Sequence, residues 1–374
     1  MQGDEVTNTP RPDRLRRLAT AALLVVLGVA IGLGAAYIRP SLPGNAGPTL
    51  SRLPGEPMDM EIVDGAGYAT LFDGQVVRLT VDGGHVTSSV AMDGLNHPRG
   101  MAFAGDTLYL VEIGDMPCIS EPGCPEDPAQ RELSNIAKSN ARILAFSAQP
   151  DGSLVEPRTV VDGIPFVARD HNANDLDVGP DGMLYLSIGS VDYEWRDPAA
   201  LQTVSHPHLD WLGSVLRIDP ASGATEVWAT GFRNVYGLAF SPQGRLFGVD
   251  NDGPTIRGWR QEELDEITQG ANFGYPWEGS FGPFEVRTAF PIYALEPGGH
   301  AGIAWDGDGV VAGSCGRIDR VPFIDSDGEY EVRSRVLLKT VGTVDGCVTS
   351  LVPVPGGLLA GVYGSSGVYF FPNR

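Results

Sequence analysis

One phrase recurs along this chain, and a repeat limits the fold more tightly than composition does, because equal units stack only into arrays or rings. It reads HPRGMAFAGDTLYLVE at 97–112, NANDLDVGPDGMLYLSIG at 172–189, NVYGLAFSPQGRLFGVD at 234–250, GHAGIAWDGDGVVAGS at 299–314 and CVTSLVPVPGGLLAGVYG at 347–364. Each copy has a small or polar start, a short apolar strand, a turn of Pro, Asp or Gly, and a second strand. The leading apolar positions, Met101, Leu176, Leu238, Ile303 and Leu351, follow at intervals of 48 to 75 residues, room for a four-stranded blade with varying insertions. A weaker sixth copy, DGAGYATLFDGQVVRLTVDGG, lies at 64–84. The 49 glycines and 29 prolines suit the many turns this demands. The expectation is an all-β chain, a six-bladed β-propeller over 58–374, whose ring leaves short, protected sheet edges around a central channel. The closing GVYFFPN is expected to complete the first blade.

In such a ring the residues just before each innermost strand gather around one mouth. That brings Arg99, His171 to Asp175, Arg233, Asn234, His300 and Cys347 to Thr349 toward a common axis. His171, in ARDHNANDLDVGP, carries an imidazole able to act as a general base near neutral pH. Its structural alternative is a ring bonded to loop backbone. Arg233 and Asn234 are planar donors suited to carboxylate or quinone oxygens, or else braces between blades. Gly253 and Pro254 read as a turn, yet leave two backbone carbonyls for a hard cation beside Asp250 and Asp252. His206 and His208 flank Pro207 without a third ligand in sequence and read as structural, while His85 and His97 have no partner legible in sequence.

The 47 acidic and 26 basic side chains give a formal charge of -21. This excludes nucleic acid as a partner, because affinity for a phosphate backbone rests on Lys and Arg. Residues 18–38, LATAALLVVLGVAIGLGAAYI, hold no charge, and as a helix they span about 31 Å, one hydrocarbon thickness. Arg11, Arg14, Arg16 and Arg17 precede this segment, whereas Arg39 alone follows at once. The expectation is a single transmembrane helix with 1–17 in the cytoplasm and the rest outside the cell membrane. A cleaved secretory signal, cut near Ala30 to Gly32 or Leu33 to Ala35, is the alternative. Segment 39–57 has the Pro and Gly content of a linker. Residues 1–39 hold five Arg and three acids, so the exported part carries -23 and suits calcium or neutral substrates. Outside the cytoplasm cysteines pair: Cys118 and Cys124 share one Pro-rich loop and are expected to form a local disulfide, which leaves Cys315 and Cys347 as the other pair.

Taken in order, HNANDLDVGPDGMLYLSIGS, GSVLRIDPASG, WATGFRNVYGLAFSPQGRLFGVDNDGP and LDEITQGANFGYPWEG resemble the soluble pyrroloquinoline-quinone (PQQ)-dependent glucose/sorbosone (aldose sugar) dehydrogenase family, over roughly residues 95–280. The resemblance implies a six-bladed propeller that oxidises an aldose-type sugar by hydride transfer to PQQ with Ca2+. It implies that His171 takes the proton of the anomeric hydroxyl and that Arg233 and Asn234 contact the quinone. Tyr236 stands beside them where the family has a glutamine. The carbonyls of Gly253 and Pro254 would bind the calcium that polarises the quinone. Ala173 and Asn174 depart from the family's glycines, Cys315 falls near a family lysine, and Cys347 and Thr349 fall on two family arginines. That alignment implies a Cys315–Cys347 disulfide bridging two adjacent blades at the channel mouth. Two other readings stand beside it: a calcium-dependent, lactonase-like hydrolase with Asn174, Asn234 and Asp250 as ligands, and a non-catalytic propeller that binds a glycan or protein.

Overall fold

The computed structural model describes residues 48–373 apart from 64–65, 116–117, 119–121, 169–170, 192–200, 202, 252–261, 276–288, 290, 296, 308 and 323–338. The strands form antiparallel sheets in which sequence neighbours pair, as short apolar runs joined by tight turns must. The first sheet is β2 (Pro57–Val63), β3 (Ala66–Leu71), β4 (Gln75–Asp82) and β5 (His85–Met92). The second is β6 (Pro98–Ala104), β7 (Thr107–Glu112), β8 (Ala141–Ala148) and β9 (Leu154–Ile164), with helix α1 (Pro128–Lys138) inserted between β7 and β8. Asp127 caps that helix by accepting from Gln130 N at 3.0 Å, and Pro128 opens its first turn, where no amide hydrogen is needed. The third sheet is β10 (Ala173–Val178), β11 (Leu184–Ile188), β12 (Ser214–Ile218) and β13 (Thr225–Thr230). The fourth is β14 (Val235–Phe240), β15 (Leu246–Asp250), β16 (Glu262–Glu266) and β17 (Tyr293–Leu295).

The all-β propeller expected from the repeat is present, but among the described residues its strands form five sheets rather than the six blades expected. The last sheet has six strands: β18 (Ile303–Trp305), β19 (Gly309–Pro322), β20 (Lys339–Val354), β21 (Gly357–Tyr363), β22 (Gly367–Pro372) and β1 (Thr49–Arg52). Its size has a local cause. Strands β19 and β20 run on through 14 and 16 residues and pair with each other, so the repeats that begin at Ile303 and Leu351 never separate. Register shifts between Cys315 and Arg317 and between Val348 and Ser350 bend these strands. The two ends of the sheet share one core, in which Val311 and Ile318 lie with Val348, Leu351 and Leu358. Glycine permits the approach: a Cβ on Gly313 would stand 2.3 Å from Val348 Cγ1.

The innermost strands succeed one another around the axis as β2, β6, β10, β14, β18 and β20, which returns to β2. All five leading positions of the repeat, Met101, Leu176, Leu238, Ile303 and Leu351, are buried on them. Closure differs from expectation. GVYFFP is β22 of the last sheet, and the closing strand is β1, inside the segment read as linker, with Thr49 opposite Phe370. Ser51 Oγ then accepts from Val86 N of the first sheet at 2.9 Å, which ties the two ends of the ring. The compact unit runs Gly47–Asn373. No helix among the described residues is long and apolar enough to cross a membrane; the expected span, 18–38, lies outside the described residues.

A cavity of about 190 Å³ follows the axis, lined by β2, β10, β14, β18 and β20, and Asp59, Glu61, Asp175 and Asp177 face it. These acids clasp neighbouring sheets. Asp59 Oδ2 accepts from Met101 N on β6 at 2.8 Å, and Asp175 Oδ2 from Leu238 N on β14 at 2.7 Å. Burial, which disfavours the charged form, raises all four carboxyls, Asp59 to about 6 and Asp177 to about 7. A carboxyl whose folded pKa exceeds its unfolded value holds its proton better when folded, so its contribution to stability falls as pH rises from about 4 through 7. Asp177→Asn is therefore expected to stabilise the protein by on the order of 1–2 kcal/mol at pH 8 and to leave it unchanged at pH 4. Urea midpoints of parent and variant at the two pH values check this; an equal gain at both would assign the effect to packing.

Candidate functional site

The start of β10 carries His171, and two contacts fix it. Its backbone carbonyl accepts from Val167 N at 2.9 Å and Ala168 N at 3.3 Å, while its ring Nδ1 lies 2.5 Å from Ser190 O. A carbonyl only accepts, so Nδ1 bears the hydrogen. Of the two sequence readings of this residue, the ring bonded to loop backbone is the one this contact bears out.

Ser190 leads to the next strand, because its N–H donates to Arg233 O at 2.7 Å. Between them Gly189 is required: a Cβ there would stand 2.6 Å from Asn234 Oδ1 and 2.8 Å from His171 Cα. His171 and Asn234 can be neighbours only across a residue without a side chain. Asn174 Nδ2 donates to Asn234 Oδ1 at 2.8 Å and to Val235 O at 3.0 Å. Asp250, at the end of β15, takes the amides of Arg233 and Asn234 at 3.1 and 2.7 Å, one on each oxygen. Burial holds the Asp250 carboxyl up to about 6 against these two bonds and the Arg233 charge. Arg233 Nη1 donates to Asn251 O at 2.5 Å. The predicted pair is therefore a braced unit at the mouth, with backbone and side chains both fixed.

Tyr236 lies one strand position further in, where its hydroxyl is 3.4 Å from Arg99 Nη1. The Arg99 guanidinium also sits 5.7 Å over the Phe72 ring and 3.7 Å from Met58 Sδ. Two guanidiniums, Arg99 and Arg233, thus start the innermost strands of the second and fourth sheets. Gly253 and Pro254 lie outside the described residues. Among the described residues no group of three or more His, Cys, Asp or Glu side chains is placed to hold a metal ion.

The far side of the mouth departs from expectation. The Cys315–Cys347 disulfide is present, but it joins two directly paired strands of one sheet rather than two adjacent blades. Two opposed cysteines with Cα atoms 3.7 Å apart need no second blade. Thr349 is occupied by structure, its hydroxyl donating to Pro57 O at 2.8 Å. Cys118–Cys124 is the local bridge expected, and Asn135 of α1 secures it by accepting from Cys118 N at 2.9 Å. His206 and His208 are structural, the first bonded to Ser139 O at 3.3 Å and the second stacked on Trp211 at 3.8 Å.

Three residues of this region escaped the sequence reading: Ser190, Asn251 and Glu262. Glu262 accepts from Gly298 N at 2.9 Å, Gly299 N at 2.7 Å, His300 N at 2.9 Å and the ring Nδ1 of His300. Burial opposes its charge, but these four donors prevail and hold the carboxyl down at about 2. In sequence it sits within EELDE, which looks like a solvated charge run; the only signal is that a strand bears it.

A family model described as Glucose / Sorbosone dehydrogenase matches residues 130–282, less than half of the chain. Quinoprotein glucose dehydrogenase B of Acinetobacter calcoaceticus is 26% identical over 232 residues, 54% of this chain and 46% of its own. The chain thus spans about half the length of this curated relative. Among solved structures, the PQQ-bound aldose sugar dehydrogenase of Streptomyces coelicolor is similar with a TM-score of 0.61 and 19% identity, over 87% of this chain and 98% of that one. A protein assigned as a gluconolactonase is similar with a TM-score of 0.53 and 16% identity, over 90% and 97% of the two chains. At these identities the likeness to solved structures is one of fold.

Proposed function

We propose that this chain is a quinone-dependent sugar dehydrogenase that oxidises the anomeric carbon of an aldose. The observation that carries the reading is the oriented His171 ring, its Nδ1–H donated to Ser190 O, beside a braced Arg233–Asn234 pair. The family match over 130–282 and the quinoprotein relative support it.

The donor set fits a planar, oxygen-rich, anionic group on the β6 and β14 side of the mouth. Arg99 and Arg233 bring positive charge, and Asn234 and the Tyr236 hydroxyl add neutral polar contacts. On the β19 and β20 side, Cys315, Cys347 and Thr349 add no charge. PQQ, when bound, supplies the two-electron acceptor, and calcium a Lewis acid, for which Gly253 and Pro254 are the candidate ligands. The chain supplies the rest. His171 Nε2 accepts the proton of the anomeric hydroxyl, which frees the carbon to lose hydride. Ser190 keeps the ring in the tautomer that can do so, and Asp250 holds Arg233 and Asn234 in place.

The hydrolase reading is less well supported by the geometry. Asn174 and Asn234 are bonded to each other, and both Asp250 oxygens are engaged by backbone, so the three proposed ligands satisfy one another. The purified chain, titrated with PQQ and calcium, is expected to change the cofactor's absorbance at micromolar concentrations and then to reduce an artificial acceptor when an aldose is added. Lactone hydrolysis without quinone, or no quinone binding at tens of micromolar, on the order of 6 kcal/mol, would overturn the reading.

A further inference from the structure

The Glu262–His300 pair is not needed by the chemistry above, yet it is built with care. His300 is fully buried, its Nδ1–H is given to Glu262, and its Nε2 has no hydrogen-bond partner among the described residues. A buried polar atom left this way is costly, so a position that tolerates it must gain elsewhere. The gain lies in its backbone. Asn251 Nδ2 donates to His300 O at 2.6 Å, and Asn251 O receives Arg233 Nη1 at 2.5 Å.

The order of dependence can be followed bond by bond. Glu262 on β16 gathers three successive amides of the turn 298–300 and the imidazole, which fixes the direction of the His300 carbonyl. Cys315 N holds the same turn from the other side, donating to Gly298 O at 2.9 Å. The fixed carbonyl seizes the Asn251 amide, and through it the Asn251 carbonyl that takes Arg233. The acceptor of that amide, Asn251 Oδ1, is buried and has no hydrogen-bond partner among the described residues, where the His300 bond is the contact that orients the side chain.

We infer that Glu262, His300 and Asn251 are positioning residues that set the Arg233 guanidinium at the mouth. This rests on the proposed function for what Arg233 contacts, but the positioning itself is a property of the protein without ligand. A carboxylate on β16 and a carbonyl before β18 thereby reach a cation just before β14, across segments far apart in sequence.

Side-chain NMR of the full chain without cofactor separates positioning from the redox reading. The Arg233 guanidinium signal, assigned by its loss in Arg233→Lys, is expected to show hindered Nη rotation in the parent and free rotation in Asn251→Ala and Glu262→Gln. Unchanged rotation in both variants, each with a parent-like circular dichroism spectrum, overturns the inference. A PQQ titration forms the second arm. Asn251→Ala is expected to bind PQQ about five- to tenfold more weakly than the parent, and to add nothing once Arg233 is Lys. Additive losses would show that Asn251 acts without Arg233 and would also overturn it. Absence of PQQ binding by the parent sinks the redox reading alone, since the NMR arm still decides the positioning.

Discussion

Replacing His171 by glutamine is expected to lower sugar-dependent reduction of an artificial acceptor by about two to four orders of magnitude in kcat, with the fold intact. Glutamine matches the imidazole in reach and can still donate an amide hydrogen to Ser190 O. What it lacks is a basic nitrogen. Because His171 is 4% exposed and its backbone lies against Gly189, a larger change would confound loss of the base with repacking. Affinity for PQQ is expected to move less than kcat, because the role proposed for His171 is on the substrate hydroxyl. Retention of more than about a tenth of the parent rate would place the base elsewhere, since a positioned base contributes at least about a hundredfold.

The second large effect concerns the Cys315–Cys347 bridge. Exchanging both cysteines for serine is expected to cost roughly 3–4 kcal/mol, the entropy returned to an unfolded loop of this length, closed here by residues 32 apart. The Cys118–Cys124 bridge closes a separation of only 6, and its double serine variant is expected to cost nearer 2 kcal/mol. Urea midpoints of the two double variants against the parent test the ranking. If the Cys315 and Cys347 variant matched the parent, the β19–β20 ladder alone would hold the register.

The repeat made the core legible because a strand's burial is written locally. Met101, Leu176 and Leu238 lie in strands whose alternation is visible in a few residues, and each is buried on an innermost strand. The blade count was not legible. Whether β19 ends near Gly313 or runs on to Pro322 depends on pairing with β20, and apolar pattern does not encode where a ladder stops. The site divides the same way. His171, Arg233, Asn234 and Asp250 stand beside strand starts or ends within recognisable copies of the repeat. Glu262 and Asn251 derive their meaning from His300, which lies 38 and 49 residues further along. The channel acids did leave a trace that went unused: Asp59 and Glu61, and Asp175 and Asp177, alternate with apolar residues inside strands. An acid at every second position of a buried strand points to the axis.

The closing pair has a consequence for how this ring is made. During synthesis β1 is the first of these strands to emerge, but its partner β22 is the last. Until then Leu53 and Val86 lack Leu359 and Val368, with which they share a core. The ring stays an open arc until β22 has emerged, and its apolar seam is covered only then.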